Sequence, residues 1–392
     1  MIIILFKRFI VSSQKMLLTM KQIGFVYVFC ITIITFMGCN NNSELTMVVG
    51  TYTNGSSEGI YTYRFNTDKL TAIPLSKAIV DNPSYLTISP DAKFIYAVSE
   101  SGEENSAVSA FAFDNQSGKL ELLNRQKVGA DPCYILLDEK RSFVATANYS
   151  GGSVSLIPVL SDGSLGNLGD ELKFHGKGAD VVRQTKSHLH CVALSPDKWT
   201  IFATDLGTDR IYRIEVRTKG EENELPSMSS NEFLDTKLSP RSGPRHLIFN
   251  RKGSNAYLIN EISGKVMVFA LDSQNNLEQI QTVVADTCNA EGSADIHLSP
   301  DEKFLYVSTR LEGDGIVIFK VDFEGLLVRV GYQATGKHPR NFIITPDGNI
   351  MLVACKDAGM IQIFHINKKT GLLTDTGKSI AIDQPVCIQF AN

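Results

Sequence analysis

The sequence lacks the short signatures of nucleotide- or metal-dependent enzymes. There is no HExxH pair, no P-loop, no GxGxxG after a strand and no GxSxG elbow, so none of those chemistries has a starting point. Ser150-Gly151-Gly152-Ser153 reads as a hairpin turn, not a phosphate loop. No metal and no cofactor is expected. Cysteine is scarce, with seven in the chain, and Cys30 and Cys39 fall in an apolar N-terminal stretch. The other five (Cys133, Cys191, Cys288, Cys355, Cys387) are an odd number without CxxC or Cys/His spacing, which argues against a disulfide framework or a zinc site. All but Cys288 sit in apolar strand sequence, where a thiol serves as a small buried hydrophobe. Strong charge of one sign is missing too. With 38 Lys and Arg against 42 Asp and Glu, the net charge of −4 gives no electrostatic reason to expect nucleic acid or an anionic membrane as partner. Beyond the N-terminal stretch there is no long helical period.

The first 39 residues stand apart. They carry Lys7, Arg8, Lys15 and Lys21 but no acid, and an apolar run from Ile23 to Met37 leads into Gly38-Cys39. Residues 1–38 read as a secretory signal with a loose lipobox, Phe36-Met37-Gly38-Cys39, whose apolar region is too short for a membrane span. Met20 gives a more compact start. On this reading Cys39 carries the lipid, residues 39–45 form a tether, and the membrane is reached through that lipid alone. The expected location is the periplasm or outer membrane, or the cytoplasm if the signal is not used.

What the rest of the chain has is repetition. A hairpin recurs about every 50 residues: SPDAKFIYAVSE from Ser89, DEKRSFVATAN from Asp138, SPDKWTIFATD from Ser195, NRKGSNAYLINE from Asn250, SPDEKFLYVSTR from Ser299 and TPDGNIMLVACK from Thr345. Such a period in strand-rich sequence predicts propeller blades. Asp91, Asp197, Asp301 and Asp347 are turn residues by position. Six units are complete and the seventh is split between the chain ends, with 384–390 supplying the strand that 46–53 and 59–65 lack. Pairing them closes the ring. The fold predicted is all-β: one seven-bladed propeller of four-stranded antiparallel blades over residues 46–392. Two insertions, 173–185 and 219–242, read as surface loops, and the first is placed to cover one mouth of the channel.

Counting outward from each hairpin turn pairs Ser84 with Glu100, Cys133 with Asn148, His190 with Asp205, Arg245 with Glu261, Asp295 with Arg310 and Arg340 with Lys356. In a propeller these pairs gather at one mouth, where acids, bases and imidazole suit acid/base chemistry on an anion. The same residues also fit a plainer role. Arg245/Glu261 and Asp295/Arg310 serve equally as strand-tying ion pairs, and His190 as a hydrogen-bonded strand residue. His188, His246 and His297 are expected to point away from the channel or into the sheet interface.

Several of these segments resemble one family, the seven-bladed β-propeller lactonases, or cycloisomerase-type 6-phosphogluconolactonases. The segments are Val49-Gly50-Thr51-Tyr52-Thr53, Ala147-Asn148-Tyr149, His188-Leu189-His190, Thr204-Asp205-Leu206-Gly207, Gly243-Pro244-Arg245-His246, Asn260-Glu261, Asp295-Ile296-His297 and Pro339-Arg340-Asn341-Phe342, in family order. Asp295 stands where the family usually has Glu, and Thr309-Arg310 replaces Asn-Arg. The resemblance implies a cofactor-free site built on His190, Glu261 and Arg310, with Arg245 close by. It extends to the carboxy-muconate cyclases, which form a lactone instead of opening one. Opening a sugar lactone needs a base for water and cations for the oxyanion. His190 or Glu261 is then the base, and Arg310 and Arg245 the clamps. Asp205, Asp295, Arg340, Asn341, Lys356 and Asn148 are the substrate-contact candidates. The partner expected is a small lactone or organic acid. A muconate-type cycloisomerase and a non-catalytic binding propeller are the rival readings, and the oligomeric state stays open.

Overall fold

The six hairpins become the two inner strands of six blades, because each alternating apolar strand buries both faces between neighbouring sheets. A computed structural model describes residues 43–138, 140, 142–217, 226–230 and 234–391. The signal and Cys39 lie outside them. Seven antiparallel sheets follow one another in chain order, each a four-stranded blade, with one short strand added to the third. Numbering blades from their inner strands, blade 1 starts at Leu86–Ile88, blade 2 at Pro132–Leu137, blade 3 at Leu189–Leu194, blade 4 at Pro244–Phe249, blade 5 at Ile296–Leu298 and blade 6 at Pro339–Ile344. Blade 7 joins the ends of the ring: Pro385–Ala391 pairs with Glu44–Thr51, with Val48 opposite Gln389. The strand begins at Glu44, so the end of the expected tether is already part of the sheet. An added Cβ at Gly50, in the middle of this closure, would lie 2.2 Å from the Pro83 carbonyl oxygen of blade 1.

Seven apolar clusters hold the ring, one at each junction between neighbouring blades. Phe202, Leu247 and Phe269, for example, join blades 3 and 4, and Phe304, Phe342 and Phe364 join blades 5 and 6. The turn aspartates are structural, as expected. Ser89, Ser195, Ser299 and Thr345 each donate a hydroxyl hydrogen bond to Asp91, Asp197, Asp301 and Asp347 respectively. Of the two expected loops, 219–242 differs. It supplies Ser227–Ser230 as the outer strand of blade 3 and a short extra strand, Thr236–Lys237, beside Arg210–Arg217.

One irregularity repeats and sets up the site. In blade 4, Pro244 pairs with Asn260 and His246 with Ile259, so Arg245 is an extra residue without a partner. His190, Cys133 and Arg340 are skipped in the same way in blades 3, 2 and 6. Beyond each bulge the partner strand continues for one residue, whose N–H donates to the inner strand's lead-in: Tyr149 to Asp131, Leu206 to His188, Glu261 to Gly243 and Lys356 to His338. Tyr52 and Glu100 make the matching bonds to Gln384 and Asn82 in blades 7 and 1.

Candidate active site

The bulged residues and those facing them meet at one end of the propeller. Glu261 is the centre of the cluster. Its carboxylate accepts from Arg183 Nη2 at 2.6 Å and Arg245 Nε at 2.8 Å, and Arg310 Nη2 lies 3.2 Å away. His190 Nε2 stands 3.9 Å from the same carboxylate. The structure therefore brings His190, Arg245, Glu261 and Arg310 together from three successive blades. A second group lies alongside. The Arg340 guanidinium sits 5.3 Å from the centre of the Tyr52 ring, the Lys356 ammonium 5.8 Å from it, and Tyr52 donates to Glu100 at 3.0 Å. Among the described residues, Arg183, Arg245, Arg310, Arg340 and Lys356 stand against Glu100, Glu261, Asp295 and Asp357, five cations against four carboxylates. That balance favours an anionic ligand.

Two of the arginines are locked in place. Arg245 Nη1 donates to the Ala294 carbonyl and points at His246 Nε2 at 3.3 Å, and His246 Nδ1 meets Asp295 at 2.8 Å. Arg310 Nε donates to the Gly292 carbonyl at 2.6 Å and Nη1 to His338 Nε2 at 2.9 Å, while His338 Nδ1 meets Asp357 at 2.8 Å. Each arginine thus ends an Asp–His–Arg chain, and each imidazole presents its bare nitrogen to a guanidinium. Burial is the main reason His246 is pushed down to about 4, with the Arg245 charge adding to it against the opposing pull of Asp295. Burial and Arg310 lower His338 to about 4 as well, and its backbone is held in the left-handed region at φ 60°.

Electrostatics separate the two candidate bases. Burial by itself would raise Glu261, but Arg310, Arg245 and Arg183 outweigh it and bring the carboxyl down to about 2. A carboxylate this strongly held is a poor proton acceptor. Burial, then Arg245, His246 and Arg340, hold His190 well below 6.5, so its imidazole is neutral at physiological pH. Burial lowers Arg310 to about 9, helped by Arg245 and Arg340 and opposed by Glu261, and it remains a cation at neutral pH.

The six substrate-contact candidates divide. Arg340 and Lys356 stand in the cluster. Asp205 does not offer a free oxygen: it accepts from the His188 and Gly207 amides at 2.7 and 2.8 Å, from Thr208 at 2.8 Å and from the Ser187 and Tyr212 hydroxyls. Asn148 is fully buried and donates to Ser153 and Ser155, both at 2.9 Å. Asn341 donates to Asp295 at 2.6 Å and accepts from the Ile388 amide at 2.8 Å, which ties blade 6 to the closing strand. Asp295 also meets His297, at 3.0 Å, so it acts on the site through His246. His246 was expected to point away from the channel or into the sheet interface. Instead its ring lies 5.4 Å from that of His190.

The physical reason is the bulge, which moves the facing position one residue along. Tyr149 and Leu206, not Asn148 and Asp205, occupy the places equivalent to Glu261 and Lys356. A constant spacing of 16 residues (84/100, 133/149, 190/206, 245/261, 340/356) was the available signal. Tyr149 stacks on His188 with ring centres 4.4 Å apart and meets His190 edge-on at 5.6 Å. Arg183 had no signal beyond its insertion. That segment does reach the channel end: Gln184 donates to the Leu206 carbonyl and to Asp209, both at 2.8 Å, and a Cβ at Gly207 would sit 1.9 Å from the Lys186 carbonyl.

Comparison with known proteins agrees with this architecture. Residues 46–390 match the family model described as "Lactonase, 7-bladed beta-propeller". A 6-phosphogluconolactonase of Bacillus subtilis is 34% identical over 351 residues, covering 87% of this chain and 97% of the relative. Among solved structures, a Bacteroides fragilis protein is 52% identical with a TM-score of 0.87, covering 90% of this chain and 99% of its own. The periplasmic gluconolactonase of Pseudomonas aeruginosa is 34% identical with a TM-score of 0.83, covering 89% and 99%. Matched along nearly the whole ring, this chain belongs to the seven-bladed β-propeller lactonases.

Proposed function

We propose that the chain hydrolyses a sugar lactone, with His190 as the proton acceptor and Arg310 and Arg340 as the groups that meet negative charge. One observation supports this above the others: Glu261, the acid nearest His190 among the described residues, is held by three guanidinium groups, while a neutral buried imidazole stands beside it. His190 takes a proton from water as the water oxygen attacks the lactone carbonyl carbon. The carbonyl oxygen becomes an oxyanion that a fixed, nearly buried guanidinium stabilises without reorganising. The ring C–O bond then breaks, and protonated His190 returns its proton to the departing alkoxide. Lactone and water give one hydroxy acid, which leaves as an anion. Glu261 holds the arginines and is not consumed.

The substrate class follows from the relatives' names and from the excess of cations: an aldonolactone, whose product carboxylate these arginines bind bidentately. The apolar N-terminal stretch ending at Cys39, and the periplasmic Pseudomonas relative, favour an extracytoplasmic lipoprotein. The test is proton release from aldonolactones by the mature chain, corrected for spontaneous opening. His190→Gln is expected to lose about 10²–10⁴-fold in kcat with the fold intact. Turnover of a muconate-type diacid in place of every aldonolactone overturns the reading.

A further inference from the structure

Arg310 is met by an imidazole that the fold itself does not require. At the entry to an inner strand, the residue whose carbonyl accepts from the partner strand takes a left-handed backbone: Asn82, Asp131, Gly243, His338 and Gln384 have φ between 42° and 63°. The blade entry sets this conformation, which glycine adopts freely and Asn, Asp and His more readily than most residues. Blade 4 fills the place with Gly243, which has no side chain, so building a blade does not call for the ring that blade 6 puts there. His338 is nonetheless held at three points. Its N–H donates to Asp314 at 2.9 Å, its carbonyl accepts from the Lys356 amide at 2.9 Å, and its Nδ1 donates to Asp357 at 2.8 Å. Asp314 also accepts from the Leu311 amide at 3.2 Å, so one carboxylate ties the residue after Arg310 to the residue that meets its guanidinium.

The partners fix the state of the ring. A guanidinium only donates, so Nε2 is the bare nitrogen, and a carboxylate only accepts, so Nδ1 carries the proton. Burial first, then the Arg310 charge, hold the imidazole at about 4, which keeps the Nε2 lone pair available at neutral pH. Among the described residues, Arg310 Nε donates to the Gly292 carbonyl at 2.6 Å, Nη2 lies 3.2 Å from Glu261, and Nη1 is anchored by His338 at 2.9 Å. Glu261 is a shared anchor, since Arg183 and Arg245 approach it more closely, at 2.6 and 2.8 Å. The three contacts take three of the five guanidinium N–H groups and leave one on each terminal nitrogen. We propose that His338 is a positioning residue for lactone opening: its Nε2 orients the Arg310 guanidinium so that the two remaining N–H groups are offered to the developing oxyanion. This rests on the lactonase reading and deepens it, because a donor stabilises a transition state only where it is already aimed.

The experiment measures kcat and KM on whichever aldonolactone the wild type opens fastest, for His338→Asn, His338→Gln, Arg310→Met and the double variant His338→Asn/Arg310→Met. Asn and Gln already occupy the equivalent place in blades 1 and 7, as Asn82 and Gln384, so both variants suit the backbone. Asn is too short to reach Nη1, whereas Gln can put its amide oxygen where Nε2 stands. His338→Asn should lower kcat about 10–10²-fold with KM within about twofold, and His338→Gln should recover much of the loss. Where Arg310 is already Met, adding His338→Asn should cost less than about twofold, because no guanidinium is left to aim. A wild-type kcat in His338→Asn, or the same loss with and without Arg310, overturns the proposal. Arg310→Met at the wild-type rate rejects Arg310 as the oxyanion group and the catalytic role of His338 with it. Nitrogen NMR of the Arg310 guanidinium reads the placement without turnover. If no lactone is opened, the lactonase reading fails; separate Nη1 and Nη2 signals in wild type and His338→Gln that merge in His338→Asn still uphold His338 as the anchor. Signals unchanged in His338→Asn reject it.

Discussion

Neutralising Glu261 without changing its shape, as Glu261→Gln does, tests whether this carboxylate is the keystone of the arginine cluster. Its side chain is 8% exposed and that of Arg245 is 1%, so removal of the charge leaves a buried cation without its counter-ion. Breaking one side of such a buried pair costs about 3–5 kcal/mol. The depressed carboxyl leads to a figure of the same order. The carboxyl sits at about 2 in the folded chain against 4.5 for the free group. That difference corresponds to on the order of 3 kcal/mol. The sign follows from the depressed folded value: the contribution is complete above about 4.5 and disappears as pH falls toward 2. Denaturant unfolding of wild type and variant, followed by far-UV circular dichroism at neutral pH and again near the acid end of this window, provides the measurement. A gap on the order of 3 kcal/mol at neutral pH, shrinking with acid, is expected. A variant as stable as the wild type at neutral pH refutes the keystone role and returns Glu261 to the list of candidate bases.

Asp205→Asn should lower stability by about 1–3 kcal/mol, because two backbone amides and three hydroxyls donate to that carboxylate. KM for the lactone should stay within about twofold, and a selective rise in KM without loss of stability contradicts the structural role. Gly50→Ala should destabilise the ring closure, since the new Cβ meets the Pro83 carbonyl oxygen at 2.2 Å and a backbone atom has little room to move. The readout is hydrogen exchange, with protection lost first in Pro385–Ala391 and Glu44–Thr51, and uniform protection argues against it.

The propeller was legible because its information is local and repeated. A turn with Ser or Thr two residues before Asp, followed by an alternating strand, recurs often enough to count blades and to leave the N-terminal blade one strand short, which the C-terminal end supplies. The central residues were legible for the same reason, as His190, Arg245, Glu261 and Arg310 all sit at fixed distances from those turns. What failed was a matter of one residue. A bulge adds a residue to the inner strand and moves the facing side chain along, so Asn148 and Asp205 go to the sheet and Tyr149 and Leu206 take their places. The roles of His246 and His338 depend on contacts between neighbouring blades, which no single hairpin encodes. Arg183 lies in the 173–185 insertion, with no repeat to index it. The packing of Gln184 and Lys186 against Leu206 and Gly207 of blade 3 shows where it arrives.

The most direct measurement is the pH dependence of kcat/KM for aldonolactone opening, in the wild type and in His190→Gln. A neutral, buried His190 acting as the base gives a rate that is level through 6.5 and falls only well below it, since the active form is the unprotonated one. His190→Gln should be at least about 10²-fold slower and lose that acid limb. A limb at or above 6.5, or a variant that keeps both the rate and the limb, contradicts His190 as the proton acceptor.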